Sequence, residues 1–163
     1  KQFLVGKDFN IKLEIKPRVL SGVLLAIHGE RDYLVLELDY GVLSAKISSG
    51  KGSLVNSFVK PVPSSWCDGN WHSVSLSKYK HVVQLGVDSD FSSPTAGDKK
   101  KQTLIRSKHP LYIGGHPTLN APGIDAKKQF VGCIRLISLN NADEPLNLKG
   151  AVGNVTLNAC PLN

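Results

Sequence analysis

Glu37 and Asp39 stand two residues apart in a run of alternating leucines, Leu34, Leu36 and Leu38, so both carboxylates project from one face of a strand. Paired carboxylates in such a place are the equipment of glycoside hydrolysis, where one protonates the leaving oxygen and the other acts as base or nucleophile. Enzymes of that kind on β-sheet frameworks also carry a concave cleft, a third acid and aromatic subsites. Here the chain runs on into Tyr40-Gly41 with no third acid, and aromatic residues are 7% of the whole. Glu37 and Asp39 are therefore expected as solvated strand charges, with a glycan hydrolase as the remotest alternative. Nucleophilic catalysis finds less support still. No GxSxG elbow occurs, and Cys67 has no evident oriented histidine. No enzyme activity and no catalytic residue are expected.

The histidines His28, His81, His109 and His116 lack metal-ligand spacing. His72 follows Trp71 in a stretch that alternates through Val74 and Leu76, so Trp71 is expected in core or sheet packing and His72 as an outward or hydrogen-bonded strand residue. Cys67, Cys133 and Cys160 match no CxxC zinc or redox motif, and three cysteines leave one over if a disulfide forms. A Cys133 to Cys160 link would close a loop of about 28 residues and stabilise by roughly 3 kcal/mol. Cys67 precedes Asp68-Gly69 in a rim turn and is expected buried and free, the alternative being a link to a neighbouring domain or chain.

The chemistry that remains is binding of anions. Lys99, Lys100, Lys101, Arg106 and Lys108 bring five positive charges with no acid from Lys99 to Ile124, and Lys127 and Lys128 add two more. The whole chain carries 20 Lys plus Arg against 13 Asp plus Glu, a net +7 with pI near 9.4. A solvated loop is the bland account of such a run. The alternative is a sulfate or acidic-glycan site, since several cations on a rim neutralise several anionic groups at once. Nucleic acid would call for interleaved aromatics or a groove-entering element, which are missing. No run of about 18 apolar residues spans a membrane, and Lys1-Gln2-Phe3-Leu4 lacks a signal-peptide plan, as expected of a mature or excised fragment. The sequon Asn154-Val155-Thr156, with the basic, Met-free, disulfide-compatible composition, points to an extracellular, secreted setting.

The elements that must position these residues read as strands. Phe9, Ile11, Leu13 and Ile15 alternate with polar residues, and Gly22 to Ile27 is a short continuous apolar run suited to a central strand. Asp39-Tyr40-Gly41 joins two alternating runs as a hairpin. Further strands are expected at Leu54 to Val59, Trp71 to Leu76, Val82 to Val87, Leu111 to Ile113, Val131 to Leu139 and Asn154 to Leu157, with a short one at Thr103 to Ile105 inside the long polar stretch Ser89 to Pro110. No helical period persists over three turns. The pattern predicts an all-β sandwich or jelly roll. No repeat or linker divides residues 1–163, so a single domain is expected.

Four phrases in order carry a family likeness: Asp32-Tyr33-Leu34-Val35-Leu36-Glu37-Leu38, Asp68-Gly69-Asn70-Trp71-His72-Ser73-Val74, Leu111-Tyr112-Ile113-Gly114-Gly115 and Phe130-Val131-Gly132-Cys133-Ile134. Together they resemble the laminin G-like domain, over essentially the whole chain. The resemblance implies a two-sheet antiparallel jelly-roll sandwich related to legume lectins, a disulfide between Cys133 and Cys160, and a place in the C-terminal region of a laminin α chain in the basement membrane. It further implies integrins, dystroglycan glycans, heparin or heparan sulfate and sulfatide as partners, beside neighbouring laminin G-like domains and laminin chains. Asp32 falls where several family members hold calcium, with backbone carbonyls near Ser49 as companion donors. The second acidic ligand of the family is replaced by Arg106-Ser107-Lys108-His109-Pro110, whose cations oppose a metal. No cofactor is expected. Adhesion through anionic glycans and receptors is the leading function, and a structural spacer without a ligand of its own is the runner-up.

Overall fold

The computed structural model describes residues 6, 8–49, 54–59, 66–99, 105, 109–146, 148–149, 151 and 153–161. Twelve strands occur among them, in two antiparallel sheets. The period-two alternation of the first run becomes β1 (Phe9–Pro17), whose Phe9, Ile11, Leu13 and Ile15 point into the core. β1 pairs with β6 (His72–Tyr79) on one side and β11 (Gly132–Leu139) on the other. β7 (Val82–Val87) continues the sheet to β8 (Asp90–Phe91) and β9 (Thr95–Ala96), while β12 (Ala142–Asp143) closes the opposite edge.

The second sheet runs in the order β10 (Tyr112–Ile113), β2 (Gly22–His28), β3 (Asp32–Asp39), β4 (Val42–Ser49) and β5 (Leu54–Val59). β3 and β4 meet in full register from Asp32 opposite Ser49 to Asp39 opposite Val42. The hairpin needs two residues at positive φ, supplied by Tyr40 at 47° and Gly41 at 80°, which is the two-residue turn whose twist matches its strands. Leucines and isoleucines of both sheets fill the space between them, Ile11, Ile15, Leu76 and Leu85 on one side and Leu24, Leu34, Leu36 and Leu43 on the other.

All seven residues of β2 are buried, so this strand is covered on both faces. Its outer cover is the segment 116–128, a strap of turns that crosses the sheet and seats Ile124 against Val23, Ala26 and Val35 in a second, smaller apolar cluster. The strap is tied down by a hydrogen bond from the Val23 N–H to the Lys128 carbonyl and by a parallel bridge of Val23 to Gln129. Gly22 permits the close approach, since a Cβ there would stand 2.6 Å from the Phe130 Cα.

Four details differ from expectation. Asn154 to Leu157 forms no strand. The polar stretch 89–110 carries β8 and β9, short strands that lie on β7. Ile105 is buried in the core; the rest of the expected strand at 103–105 lies outside the described residues. Trp66, unnoticed in the sequence, is only 2% exposed and donates its indole N–H to the Gly41 carbonyl at 2.8 Å.

Candidate functional site

The antiparallel order sends the β2–β3 turn, the loop before β10 and the β6–β7 turn to one end of the sandwich, and the β3–β4 turn, the 66–71 segment and the start of β11 to the other. At the first end lies a cavity of about 330 Å³ lined by residues 28–33 of the β2–β3 turn, His109, Tyr112 and residues of the strap. Four rings run through it in contact. Tyr33 stacks on His28 with centroids 5.8 Å apart, His28 meets His116 edge-on at 4.9 Å, and His116 meets Tyr112 at 5.0 Å. His28 is 7% exposed, and its Nε2 lies 2.7 Å from the Pro122 carbonyl oxygen. A carbonyl only accepts, so Nε2 carries the proton. Burial lowers the pKa of His28 and keeps it neutral, helped by His116 and His109 and opposed by the Pro122 bond.

Asp32, the implied calcium ligand, stands opposite Ser49 and lines this cavity with Arg31 and His109. Among the described residues no three His, Cys, Asp or Glu side chains gather as a metal-binding group. A calcium ion takes several oxygens, with more than one carboxylate among them. Arg106 and Lys108 lie outside the described residues.

Beneath the strap, Glu37 overturns the expectation of a solvated strand charge. It is fully buried, and its carboxylate accepts the backbone N–H groups of Asp125 at 3.0 Å and Ala126 at 3.1 Å. Lys46 Nζ stands 3.6 Å from it, donates to the Gly123 carbonyl at 3.2 Å, and pairs with Asp125. Burial pushes the pKa of Glu37 up, while the Ala126 N–H and Lys46 pull it back. The physical reason for the reversal is coverage: the outward face of β3 is solvated only until the strap lies on it. With its oxygens held in this way, Glu37 anchors the strap and has no access to a glycosidic bond.

The opposite end is built on charge. His72 Nδ1 lies 2.9 Å from Asp88 and Nε2 3.0 Å from Asp68. Both carboxylates accept, so both ring nitrogens donate, and the ring is an imidazolium. Burial opposes that charge, yet Asp88 and Asp68 outweigh it and raise the pKa of His72. The Asn70 N–H, then His72, lower Asp68 to about 2. Trp71 is half-buried and not in the core, with the Arg135 guanidinium 4.0 Å and Lys16 Nζ 5.1 Å from its ring centroid. Arg135 also bonds Glu14 at 2.7 Å. Cys67 is a free thiol as expected but exposed, contrary to the burial expected for it, because Trp66 and not Cys67 turns inward to the Gly41 carbonyl. What burial it has, and then Asp68, raise its pKa. Cys133 and Cys160 are joined, Cα to Cα 5.7 Å.

The cations of the basic run are only partly described. Lys99 is exposed just after β9, beside the β7 and β5 edges. Lys100, Lys101, Arg106 and Lys108 lie outside the described residues. Lys127 and Lys128 are exposed on the strap, at the β2–β10 edge of the other sheet, with Lys127 Nζ bonded to the Leu119 carbonyl at 3.2 Å. Since β2 and β5 are separated by β3 and β4, the fold does not join Lys99 to the strap pair. Asn154 is exposed. The ring cavity escaped sequence reasoning because its histidines are distant in the chain; the one signal was His28 ending a continuous apolar run.

Comparison with known proteins places these features. A family model described as Laminin G domain matches residues 15–142. The laminin subunit alpha of Drosophila melanogaster is 33% identical over 163 residues, 99% of this chain. Laminin subunit alpha-3 of Homo sapiens is 37% identical over 161 residues, 97% of this chain. The chain spans only 4% and 5% of the length of these two relatives. Among solved structures, domains LG4-5 of the mouse laminin alpha1 chain superpose with a TM-score of 0.74 at 26% identity, covering 90% of this chain and 40% of that one. The LG1-3 region of the laminin alpha2 chain, at 23% identity and TM-score 0.68 over 86% of this chain and 24% of that one, shares the fold.

Proposed function

The chain belongs to the laminin G domain family, and on that footing we propose that residues 1–163 form one secreted, non-enzymatic adhesion module of a laminin α chain in the basement membrane. In this reading it binds anionic glycans such as heparin or heparan sulfate, sulfatide and dystroglycan glycans, and contributes to contact with integrins and with neighbouring laminin G-like domains and chains. The observation that carries it is the family match over residues 15–142, joined to a net charge of +7. Polyanions are drawn to such a charge over a Debye length of about 8 Å at physiological salt. The contacts are Lys99, Lys100, Lys101, Arg106 and Lys108, with Lys127 and Lys128 as a separate patch. Calcium is not required, because the sequence has Lys108 and His109 where the family's second carboxylate would be needed. Asn154 is the acceptor for N-glycosylation.

A solid-phase screen of the domain against heparin, sulfatide, dystroglycan-type glycans and laminin-binding integrins, with and without chelator, tests this reading. Neutralising Lys99, Lys100 and Lys101 together lowers the salt needed for elution from heparin more than a matched triple change at Lys1, Lys7 and Lys12. Equal loss in both triples refutes the local site and favours a spacer domain held only by diffuse charge.

A further inference from the structure

The ladder between β1 and β11 slips by one residue. Lys12 faces Ser138 and Glu14 faces Arg135, so Leu136 and Ile137 together stand opposite Leu13. This is a β-bulge, a device that re-aims a side chain. Ile137 turns into the core and is 4% exposed, whereas Leu136 is 69% exposed with φ at 52°. That left-handed conformation costs a side chain steric energy that glycine avoids, and glycine is the usual occupant of such a place in a bulge. The chain therefore holds a large apolar side chain in water at a position where glycine would fit with less strain.

The charges around Leu136 are sorted by side. Toward β1 lie Lys12 and Lys16 with Arg135, whose guanidinium rests over Trp71 and bonds Glu14. Toward the edge of the sheet lie Asp143, which pairs with Ser138, and Glu144, whose N–H donates to the Ile137 carbonyl. Lys12, Arg135, Asp143 and Glu144 are all exposed. One side is thus positive and the other negative, with Leu136 on the line between them.

A surface of that design is complementary to itself. In a two-fold pair the same patch serves both copies, each residue i meeting j while j meets i. With the axis along β11, Leu136 packs on its counterpart, and the Arg135 side of each copy faces the Asp143 and Glu144 side of the other. A polyanion matches only the β1 side, because Asp143 and Glu144 repel it. We infer that the outer face of β11 is a self-association surface for a second copy of this chain, with Leu136 as its apolar anchor. The surface goes beyond the adhesion reading and shares none of the cations proposed there. One anchor and a few exposed charges make a small interface, so association is weak and depends on concentration.

Sedimentation velocity of the intact chain over a rising concentration series is the test. The expected result is a shift from the 17.6 kDa monomer toward a dimer and no further, because an isologous contact closes on itself. Leu136→Gly removes the anchor where glycine is the easier residue. It is expected to weaken dimerisation about tenfold or more while the melting temperature holds or rises. A leucine with only a structural role would instead lower the melting temperature and leave association untouched. Arg135→Glu and Glu144→Arg each set like charges face to face, and each alone is expected to stay monomeric. Mixed together they dimerise, since each supplies the charge that the other lost. Both proteins are still net positive, so overall charge opposes that pairing and cannot imitate it. A wild type that stays monomeric throughout, growth past the dimer, unchanged association in Leu136→Gly, or failure of the mixed pair overturns the surface. Heparin retention of Leu136→Gly is expected to equal that of wild type, and its loss beside a monomeric wild type gives the face to a polyanion instead. Failure of the polyanion site proposed above leaves the sedimentation results as they are.

Discussion

His28 and His72 occupy opposite ends of the same sandwich and have been driven in opposite directions. His28 is buried against a carbonyl and among other imidazoles, which makes it neutral. His72 is held between Asp68 and Asp88, which makes it charged. The difference shows how one fold separates duties. The His72 end spends its polar atoms on each other, and both nitrogens of His72 are matched. The His28 end encloses a cavity, and it depends on a strap held from below by Glu37.

That dependence supplies the largest expected effect. Glu37→Ala strands the Asp125 and Ala126 N–H groups and leaves Lys46 buried beside one carboxylate fewer, at a cost of about 3–5 kcal/mol. Chemical denaturation measures it, and hydrogen exchange in the variant is expected to rise first in residues 116–128. A uniform rise over both sheets would show that the strap is not the separate unit described here. The disulfide comes next. Cys160→Ser opens the C-terminal loop and is expected to lower stability by roughly 3 kcal/mol.

Asp88→Asn probes the charged end. It removes one acceptor from His72, and because Asp88 is about half exposed the expected loss is about 1 kcal/mol. The pH dependence has a defined sign. A raised folded pKa for His72 means that its contribution is complete below the ordinary histidine range and is lost as pH climbs through the raised value. The wild-type domain therefore gives up part of its stability at mildly alkaline pH, and Asp88→Asn flattens that slope. His28 has the opposite sign: its contribution is present above the ordinary range and lost as pH falls through it. Melting temperatures of wild type, Asp88→Asn and His28→Phe across pH 5 to 9 distinguish the two ends, and parallel curves for all three would dissolve the contrast. Smallest of all is Cys67→Ser. An exposed thiol with no bond is expected to matter by less than about 0.5 kcal/mol, and alkylation of native protein should modify Cys67 alone, faster as pH rises toward its elevated pKa.

Much of the framework was legible in residue order. Phe9, Ile11, Leu13 and Ile15 could satisfy an alternating burial pattern only as a strand with one face inward, and β1 has that pattern. The continuous apolar run Val23 to Ile27 required a strand covered on both faces, and β2 is so covered. Asp39-Tyr40-Gly41 specified its own hairpin because the turn is a local backbone matter. The charge of +7 and the family likeness likewise needed no coordinates.

What the sequence left undecided is the covering of the outward faces. A period of two tells which side chains share a face and is silent about what lies upon it, so Glu37 read as solvated until residues 116–128 were seen across it. That strap has no period of its own, only turns, and it finds its place through Ile124 in a pocket of Val23, Ala26 and Val35 and through hydrogen bonds to β2 and β3. The same long-range packing chose Trp66 over Cys67 as the residue to turn inward, left Trp71 between two cations, and brought His28 and Tyr33 together with Tyr112 and His116 from two distant stretches of the chain. Local propensity fixes strands and turns because their hydrogen bonds and alternation are set within a few residues, whereas burial of a strap, a carboxylate or a ring cavity is set by which distant surfaces exclude water together.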